Sequence, residues 1–319
     1  MGEAAAGRVL FIFVDGVGLG AADAAVNPLV GARLPVLRGL LGGRAPVAEI
    51  APVHAAASLV ALDALLGVPG LPQSGTGQAA LLTGENAPRL FGRHYGPWTP
   101  TRLRPLVAER SVLARAVAAG RRVAFANAYP EEVVATRAAR SRAARARDPL
   151  RAAPPLAARA AGLLTRHTAA LGRGDAVASE ITNEGWREHL GRLSLPATSP
   201  RRAGHNLARI AAAHDLTLFA HYATDTAGHR RDLATAAAAL ERVDAFLGGV
   251  LEALPPDVLV VVASDHGNIE DVRVGHTMNP ALALVAGPDH AAFAAGLDDL
   301  TDVAPAILAR LGIDARDAA

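Results

Sequence analysis

The sequence contains no cysteine and no lysine. Without cysteine there is no disulfide framework and no thiolate metal site, so a bound metal has to be held by histidine, carboxylate or hydroxyl groups. Without lysine, no side chain of that type can clamp a phosphate, form a Schiff base or act as a general base. All 32 of the basic Lys and Arg positions are therefore arginine, and the net charge is only +2.

Long hydrophobic runs are also missing. Residues 9–14 and 258–263 are among the longest apolar runs, and both are far too short to span a bilayer. The first of them is interrupted by Asp15 and has no basic leader before it, as a secretory signal would. These features predict a cytoplasmic protein without a membrane partner.

Aromatic residues are scarce, at 4% of the chain, and they do not interleave with its most arginine-rich stretch. That stretch contains Arg137, Arg140, Arg142, Arg145, Arg147, Arg151 and Arg159. It is interpreted either as a solvated helix face or as a cap that recruits an anionic substrate, because arginine binds phosphate in a bidentate manner. A third hypothesis, a non-enzymatic nucleic-acid binder, would need salt-sensitive contacts from this stretch and lacks the stacking aromatics. No nucleic-acid partner is expected.

The order of apolar and helical patterns predicts the fold. Hydrophobic residues make up 51% of the 319, enough for a large core. Strands are predicted at residues 8–14, 121–127, 215–222, 258–263 and 281–286, and helices at 111–119, 201–214, 232–254 and 302–311, with another beginning at 79 after a Gly/Pro loop over 67–77. Alternating strands and helices, with continuously apolar strands, indicate an α/β fold whose mainly parallel sheet is sandwiched by helices. Residues 1–127 and 200–319 are predicted to form the core, and residues 128–199 a small Arg/Ala-rich inserted cap.

Polar side chains follow several predicted strands directly. Asp15 comes after the first strand, Asp225 after the strand at 215–222, and Asp265 and His266 after the apolar strand at 258–263. Ligands of open α/β sheets bind at the carboxyl ends of strands, so these side chains are expected to meet there. A buried Asp–His pair is costly unless it is paired or metal-bound, which favours a metal site. For Asp15 alone, a helix-capping turn is an equal alternative.

Ser74 lies in a Gly-rich loop just before an apolar helix. Backbone N–H groups at a helix start can hold a phosphate, and a hydroxyl placed there can bind a metal and attack phosphorus. Thr76 is a rival nucleophile in the same loop, and a simple helix cap is the structural alternative for either hydroxyl.

Asp225 and His229 are four residues apart, so on a helical turn their side chains share one face and can reach one cation. A surface ion pair is the alternative for these two residues. Together with the loop histidine His276, the candidates fall into two ligand sets. The first set is Asp15, Ser74, Asp265 and His266, and the second is Asp225, His229 and His276. Two such cations could clamp the attacking and leaving oxygens of an in-line displacement.

These motifs resemble the alkaline phosphatase superfamily, and within it the branch of cofactor-independent phosphoglycerate mutases and phosphopentomutases. The similar segments are Asp15-Gly16, GLPQSGTG at 70–77, DTAGH at 225–229, SDHGN at 264–268, HTMNP at 276–280 and DVAP at 302–305. The resemblance implies an alkaline phosphatase-like core, two Mn²⁺ or Zn²⁺ ions, and a phosphoserine intermediate on Ser74, the position that matches the family's nucleophile.

The chain departs from the mutases in what recognises substrate. It has no lysine, its insert is much smaller than theirs, and Gln78 stands where they have histidine. A reduced cap leaves the site open to water, so hydrolysis of a phosphomonoester or phosphodiester is expected, with a phosphomutase as the alternative. The expected partner is a small phosphorylated substrate. Its candidate contacts are Thr76, Gln78, Asn127, Tyr129 and Arg93.

Overall fold

A seven-stranded sheet forms the centre of the protein, which is described here by a computed structural model covering residues 7–135 and 148–314. Its strands are β1 (Arg8–Val14), β2 (Val53–His54), β3 (Ala57–Leu62), β4 (Val123–Phe125), β5 (Leu216–His221), β6 (Val258–Ala263) and β7 (Ala281–Ala286). They are arranged in the order β2-β3-β7-β6-β1-β5-β4. β1 pairs in parallel with both β5 and β6, and β4 pairs in parallel with β5.

The sheet is mixed at one side. β7 runs antiparallel to both β6 and β3, and β2 runs antiparallel to β3. Two reversals in succession bring β3 back to the direction of β1, so β1, β3, β4, β5 and β6 all point the same way. The prediction of an α/β fold with a mainly parallel sheet between helices is therefore confirmed, since five of the seven strands run in one direction.

Helices cover both faces of this sheet. The α-helices of the described residues are Pro28–Gly31, Pro35–Leu40, Ser74–Thr83, Ala87–Phe91, Arg104–Arg110, Val112–Ala118, Glu131–Ala135, Ala153–Ala160, Thr168–Arg173, Glu184–Glu188, Pro200–Ala212, Ala223–His229, Leu233–Ala253, His290–Ala294 and Leu300–Arg310, and the 3-10 turns are Ala48–Ile50, Thr101–Leu103 and Pro149–Arg151. Side chains fix several helix starts. Asp232 accepts a hydrogen bond from the Thr235 N–H, and Asp299 and Asp302 form a reciprocal capping box.

Strand β1 shows how one sequence serves two cores. Val9, Phe11 and Phe13 lie in the hydrophobic cluster that contains helices Ser74–Thr83 and Leu300–Arg310. Leu10, Ile12 and Val14 lie in the cluster on the other face, with helices Pro200–Ala212 and Leu233–Ala253. Successive side chains of a strand point to opposite faces, so an uninterrupted apolar run is what a doubly covered strand requires.

Several predicted boundaries were wrong. The strand predicted at 121–127 covers only Val123–Phe125, and the helix predicted at 201–214 ends at Ala212. Helix Ser74–Thr83 begins five residues earlier than expected, within the Gly-rich segment that was assigned to a loop. Helix Leu300–Arg310 begins two residues earlier, because Asp299 rather than Asp302 is its N-cap. Strands β2 and β3, of two and six residues, were not predicted.

The segment 128–199 has two surroundings. Helix Ala153–Ala160 belongs to the same hydrophobic cluster as helix Ser74–Thr83. Ala128, Leu171, Trp186 and Leu195 instead form part of a small separate cluster. Five of the arginines that suggested an anion-recruiting cap, namely Arg137, Arg140, Arg142, Arg145 and Arg147, lie outside the described residues. Among the helices that are described, none combines the length and apolar character needed to cross a membrane.

Candidate metal centre

The sheet topology brings the sequence-predicted acidic residues to one edge. β6, β1 and β5 are parallel neighbours, so their carboxyl ends lie side by side. Asp265 follows β6, Asp15 follows β1, and helix Ala223–His229, which carries Asp225, follows β5. Ser74 is the first residue of helix Ser74–Thr83 and reaches the same edge.

The first cluster consists of Asp15, Asp265 and His266, whose ligand atoms all lie within 4.8 Å of one another. The His266 Nε2 atom is 3.4 Å from Asp15 Oδ1 and 3.6 Å from Asp265 Oδ2. The Ser74 Oγ atom lies 3.0 Å from the same nitrogen. All four side chains are buried, so this cluster is shielded from bulk water.

The second cluster consists of Asp225, His229 and His276, again with ligand atoms within 4.8 Å. His229 Nε2 is 3.3 Å from Asp225 Oδ2, as the four-residue spacing on a helical turn predicts. His276 Nε2 is 3.6 Å from Asp225 Oδ1 and 3.2 Å from His229 Nε2. The His276 Nδ1–H donates to the carbonyl of Pro72 at 2.8 Å, which leaves the Nε2 lone pair facing the cluster.

The two clusters adjoin each other. The rings of His266 and His276 stack with centroids 4.1 Å apart. The exposure of the clusters differs, since the His229 side chain is 51% exposed whereas that of His266 is fully buried. A ligand from solvent would therefore arrive on the side of the second cluster.

Charge in the first cluster is poorly balanced without a cation. Burial, together with the charge of Asp265, raises the pKa of Asp15 well above its ordinary value, and burial likewise raises the pKa of Asp265. Burial alone would lower the pKa of His266, but the neighbouring carboxylates outweigh it and raise the pKa to about 10. Burial and the charge of His266 lower the pKa of His276 to about 4. The two carboxylates thus favour a positive charge at this position, and a bound metal cation would supply that charge while leaving His266 neutral.

Two carboxylate oxygens of the first cluster lack hydrogen-bond donors in the part of the chain that the structure describes, which also favours a divalent cation. Asp15 Oδ1 and Asp265 Oδ2 are buried and accept no hydrogen bond from the described residues. A buried carboxylate oxygen that accepts no hydrogen bond is costly, and a cation between the two carboxylates would satisfy both. Mixed carboxylate and imidazole ligands suit first-row divalent metals.

Several side chains orient the ligands. The amide of Asn268 donates from Nδ2 to Asp225 Oδ1 at 2.6 Å. Gln78 donates from Nε2 to Asp15 Oδ2 at 3.1 Å and accepts the Ala153 N–H on Oε1 at 3.4 Å. Asn268 lies inside the SDHGN motif but was not among the predicted site residues, and Gln78 was predicted as a substrate contact and not as a partner of Asp15.

The other substrate candidates lie in different surroundings. The Thr76 hydroxyl is within hydrogen-bond distance of the Gln73 carbonyl and accepts the Tyr95 N–H at 3.1 Å. The Asn127 amide bridges to the backbone of Ala220 through both its donor and its acceptor. Tyr129 is buried, and its phenol pKa is raised by burial. Arg93 is exposed and lies over the ring of Tyr95.

Comparison with known proteins finds relatives for the C-terminal part of the chain, which carries five of the seven proposed metal ligands. Residues 196–315 match the model of the Metalloenzyme superfamily. A 2,3-bisphosphoglycerate-independent phosphoglycerate mutase of Cereibacter sphaeroides is 34% identical over 131 residues, which is 38% of this chain and 26% of that protein. The mutase of the same name from Desulforudis audaxviator is 37% identical over 108 residues, 31% of this chain and 21% of that protein. The matched part thus spans about a quarter of the length of these relatives.

Solved structures extend the similarity in fold to nearly the whole chain. The PH0037 protein of Pyrococcus horikoshii has a TM-score of 0.57 at 14% identity and covers 97% of this chain and 98% of its own. The alkaline phosphatase of the Antarctic bacterium TAB5 has a TM-score of 0.52 at 10% identity and covers 98% and 100%. The resemblance drawn from the sequence motifs is confirmed as a similarity: residues 196–315 match the Metalloenzyme superfamily model, and the chain has the fold of the alkaline phosphatases.

Proposed function

We propose that the protein is a two-metal-dependent phosphoryl-transfer enzyme that hydrolyses phosphate esters through a phosphoserine formed on Ser74. The observation that supports this proposal most directly is the position of the Ser74 hydroxyl. It is buried at the start of a ten-residue helix and lies 3.0 Å from a histidine of the first cluster. A helix N-terminus favours a phosphate, and a hydroxyl beside a cation site is placed to attack it.

The proposed ligands of one cation are Asp15, Ser74, Asp265 and His266, and those of the other are Asp225, His229 and His276. When bound, the two cations would neutralise the charge of the phosphate and lower the pKa of the attacking hydroxyl. Mn²⁺ and Zn²⁺ both suit such ligands. Residues 128–199 are proposed as the cap over this core, and a small phosphorylated molecule as its substrate.

The chain's own residues have distinct tasks in this reaction. The Ser74 Oγ atom attacks the phosphorus in line, the P–O bond to the ester oxygen breaks, and the leaving alcohol takes up the proton that the serine hydroxyl loses. Water then hydrolyses the phosphoserine, which releases phosphate and restores the serine hydroxyl. Gln78 and Asn268 hold the carboxylates of Asp15 and Asp225 in fixed orientations, so that little reorganisation is needed as charge moves. His229 lies on the exposed side, where the substrate would enter.

A phosphomutase is the second candidate, because the two relatives described above are named as phosphoglycerate mutases. Their similarity covers only about a quarter of those enzymes. The chain also contains no lysine, so a substrate clamp that depends on lysine is not available to it. The absence of lysine favours the hydrolase.

The experiment is a panel of phosphomonoesters, phosphodiesters and phosphoglycerate, assayed with Mn²⁺ and with Zn²⁺. The Ser74→Ala protein serves as the blank and Thr76→Val as the matched control, since Thr76 carries the other hydroxyl in the first turn of the same helix. We expect Ser74→Ala to abolish turnover while the protein still binds metal, and Thr76→Val to retain turnover. Intact-mass analysis after an acid quench should find a phosphoryl group on wild type alone.

Full activity of Ser74→Ala would refute the nucleophile. Conversion of 3-phosphoglycerate to 2-phosphoglycerate without release of phosphate would establish the mutase in place of the hydrolase. A wild-type protein that turns over none of these esters with either ion would refute the proposed function.

A further inference from the structure

Glu270 is a buried carboxylate that lies between the two metal-ligand motifs and is not itself a member of either cluster. Its side chain is 1% exposed. The Oε2 atom accepts the N–H of Gly18 at 2.9 Å and the N–H of Asn268 at 2.8 Å. The Oε1 atom accepts the Asn279 amide at 3.1 Å and the hydroxyl of Thr277. Four hydrogen bonds thus converge on one side chain.

The four donors belong to the segments that carry the proposed ligands. Gly18 is three residues after Asp15, and Asn268 is two residues after His266. Thr277 directly follows His276. Glu270 therefore connects the loop after β1, the turn after β6 and the loop before β7. Those three segments supply ligands to both clusters.

The chemistry of these contacts requires a carboxylate. All four partners approach as donors, and a carboxylate has acceptor sites on both oxygens. The amide of glutamine would turn an NH₂ group toward two of those donors and leave them unpaired in a buried setting, which is unfavourable. The backbone is also shaped around this side chain, because a Cβ atom at either Gly18 or Gly267 would overlap the Glu270 carboxylate.

We propose that Glu270 is a positioning residue for both metal sites, and that it sets the mutual placement of Asp15, His266 and His276. The proposal rests on the two-metal site of the proposed function. It also gives a role to two residues of the HTMNP motif that bind no cation in either proposed set, since Thr277 and Asn279 both donate to Glu270. Residues that orient metal ligands from outside typically change metal affinity about 10–100-fold when they are replaced.

The test is a calorimetric titration of the metal-free protein with Mn²⁺. For Glu270→Gln we expect Mn²⁺ affinity to fall about 10–100-fold at both sites. The matched control is Asp244→Asn. Asp244 is also a buried carboxylate, it accepts the N–H groups of Val36 and Leu37 far from the clusters, and its loss should weaken the fold without changing Mn²⁺ affinity.

A merely structural role would give the opposite pattern. If Glu270→Gln lowers the stability of the metal-free protein as Asp244→Asn does, yet keeps Mn²⁺ affinity within about twofold of wild type, the proposal is overturned. If Glu270→Gln does not fold, Thr277→Val removes one donor and keeps the carboxylate. It should weaken Mn²⁺ binding in the same direction, and unchanged affinity in that variant would equally overturn the proposal.

The outcomes also separate this inference from the proposed function. A wild-type protein that binds two Mn²⁺ ions but transfers no phosphoryl group would refute the proposed function, and the effect of Glu270→Gln on affinity would still support the positioning role. A wild-type protein that binds neither Mn²⁺ nor Zn²⁺ in this titration would refute both.

Discussion

Replacing Gln78 with leucine is expected to lower the free energy of unfolding of the metal-free protein by about 3 kcal/mol. Gln78 is 2% exposed, and its amide joins Asp15 to the first turn of helix Ala153–Ala160. A buried hydrogen bond to an acidic group contributes about 1.5–3 kcal/mol, and an unpaired backbone N–H at Ala153 adds about 1 kcal/mol or more. Leucine has a similar volume, so little of the loss would come from packing.

The assay is urea denaturation followed by circular dichroism, together with Mn²⁺ titration. Thr83→Val is the matched control, because Thr83 is buried on the same helix and contacts neither cluster: its hydroxyl donates to the Ala79 carbonyl at 2.7 Å and accepts the Glu85 N–H at 3.2 Å. It should cost about 1 kcal/mol and leave Mn²⁺ affinity unchanged. A Gln78→Leu protein as stable as Thr83→Val, with wild-type affinity for Mn²⁺, would show that the Asp15 contact contributes nothing and would refute the reasoning.

Three further predictions concern pH, packing and metal removal. Burial lowers the pKa of His221 to about 4, below the ordinary 6.5, so the unfolded chain takes up the proton first as pH falls. The free energy of unfolding should therefore fall by about 3 kcal/mol between pH 6.5 and pH 4. Urea denaturation of His221→Gln at each pH should show a weaker dependence on pH over this range than wild type, and an equal dependence would contradict the assignment. Gly75→Ala should destabilise by about 3 kcal/mol or more, because the added Cβ would overlap the carbonyl oxygens of Tyr95 and Trp98, whereas Gly39→Ala, which has open space, should not destabilise in the same melting experiment. Mn²⁺ at 100 times its dissociation constant should stabilise by about 2.7 kcal/mol per site, with EDTA reversing the shift in melting temperature, and a melting temperature insensitive to both would argue against a metal centre.

Three strands and two contacts between proposed metal ligands could be predicted from the sequence. The bounds of β1, β6 and β7 agree with the predicted strands, because each is a continuous apolar run ended by a polar or Gly residue. The pairing of Asp225 with His229 followed from helical spacing alone. The meeting of Asp15 with Asp265 followed from the rule that parallel strands end at one edge.

Other features depend on residues that are distant in sequence. Gly75 and Gly77 make helix Ser74–Thr83 a poor helix by propensity, yet both are needed there. A Cβ atom at Gly75 would meet the loop at Tyr95, and one at Gly77 would meet the carbonyl of Asp265. Tertiary packing therefore overrides the propensity that suggested a loop.

The contacts of Gln78 and Glu270 could not be predicted either. Each side chain contacts at least one residue that is more than 60 positions away. Nothing in the local sequence separates such a residue from an ordinary buried polar one. The antiparallel direction of β7 has the same origin, because no pattern within Ala281–Ala286 encodes the direction of its neighbours.

The hydrogen bond from His276 to the Pro72 carbonyl has a consequence for how this chain can be re-engineered or can diverge. Pro72 is separated from Ser74 by a single residue, so the spacing between the attacking hydroxyl and the more solvent-accessible cluster is set by two peptide units and one imidazole ring. Inserting one residue between Pro72 and Ser74 would shift the first cluster relative to the second, although every proposed metal ligand would still be present. Changes in chain length are therefore far less tolerable at this spot than on the opposite side of the molecule.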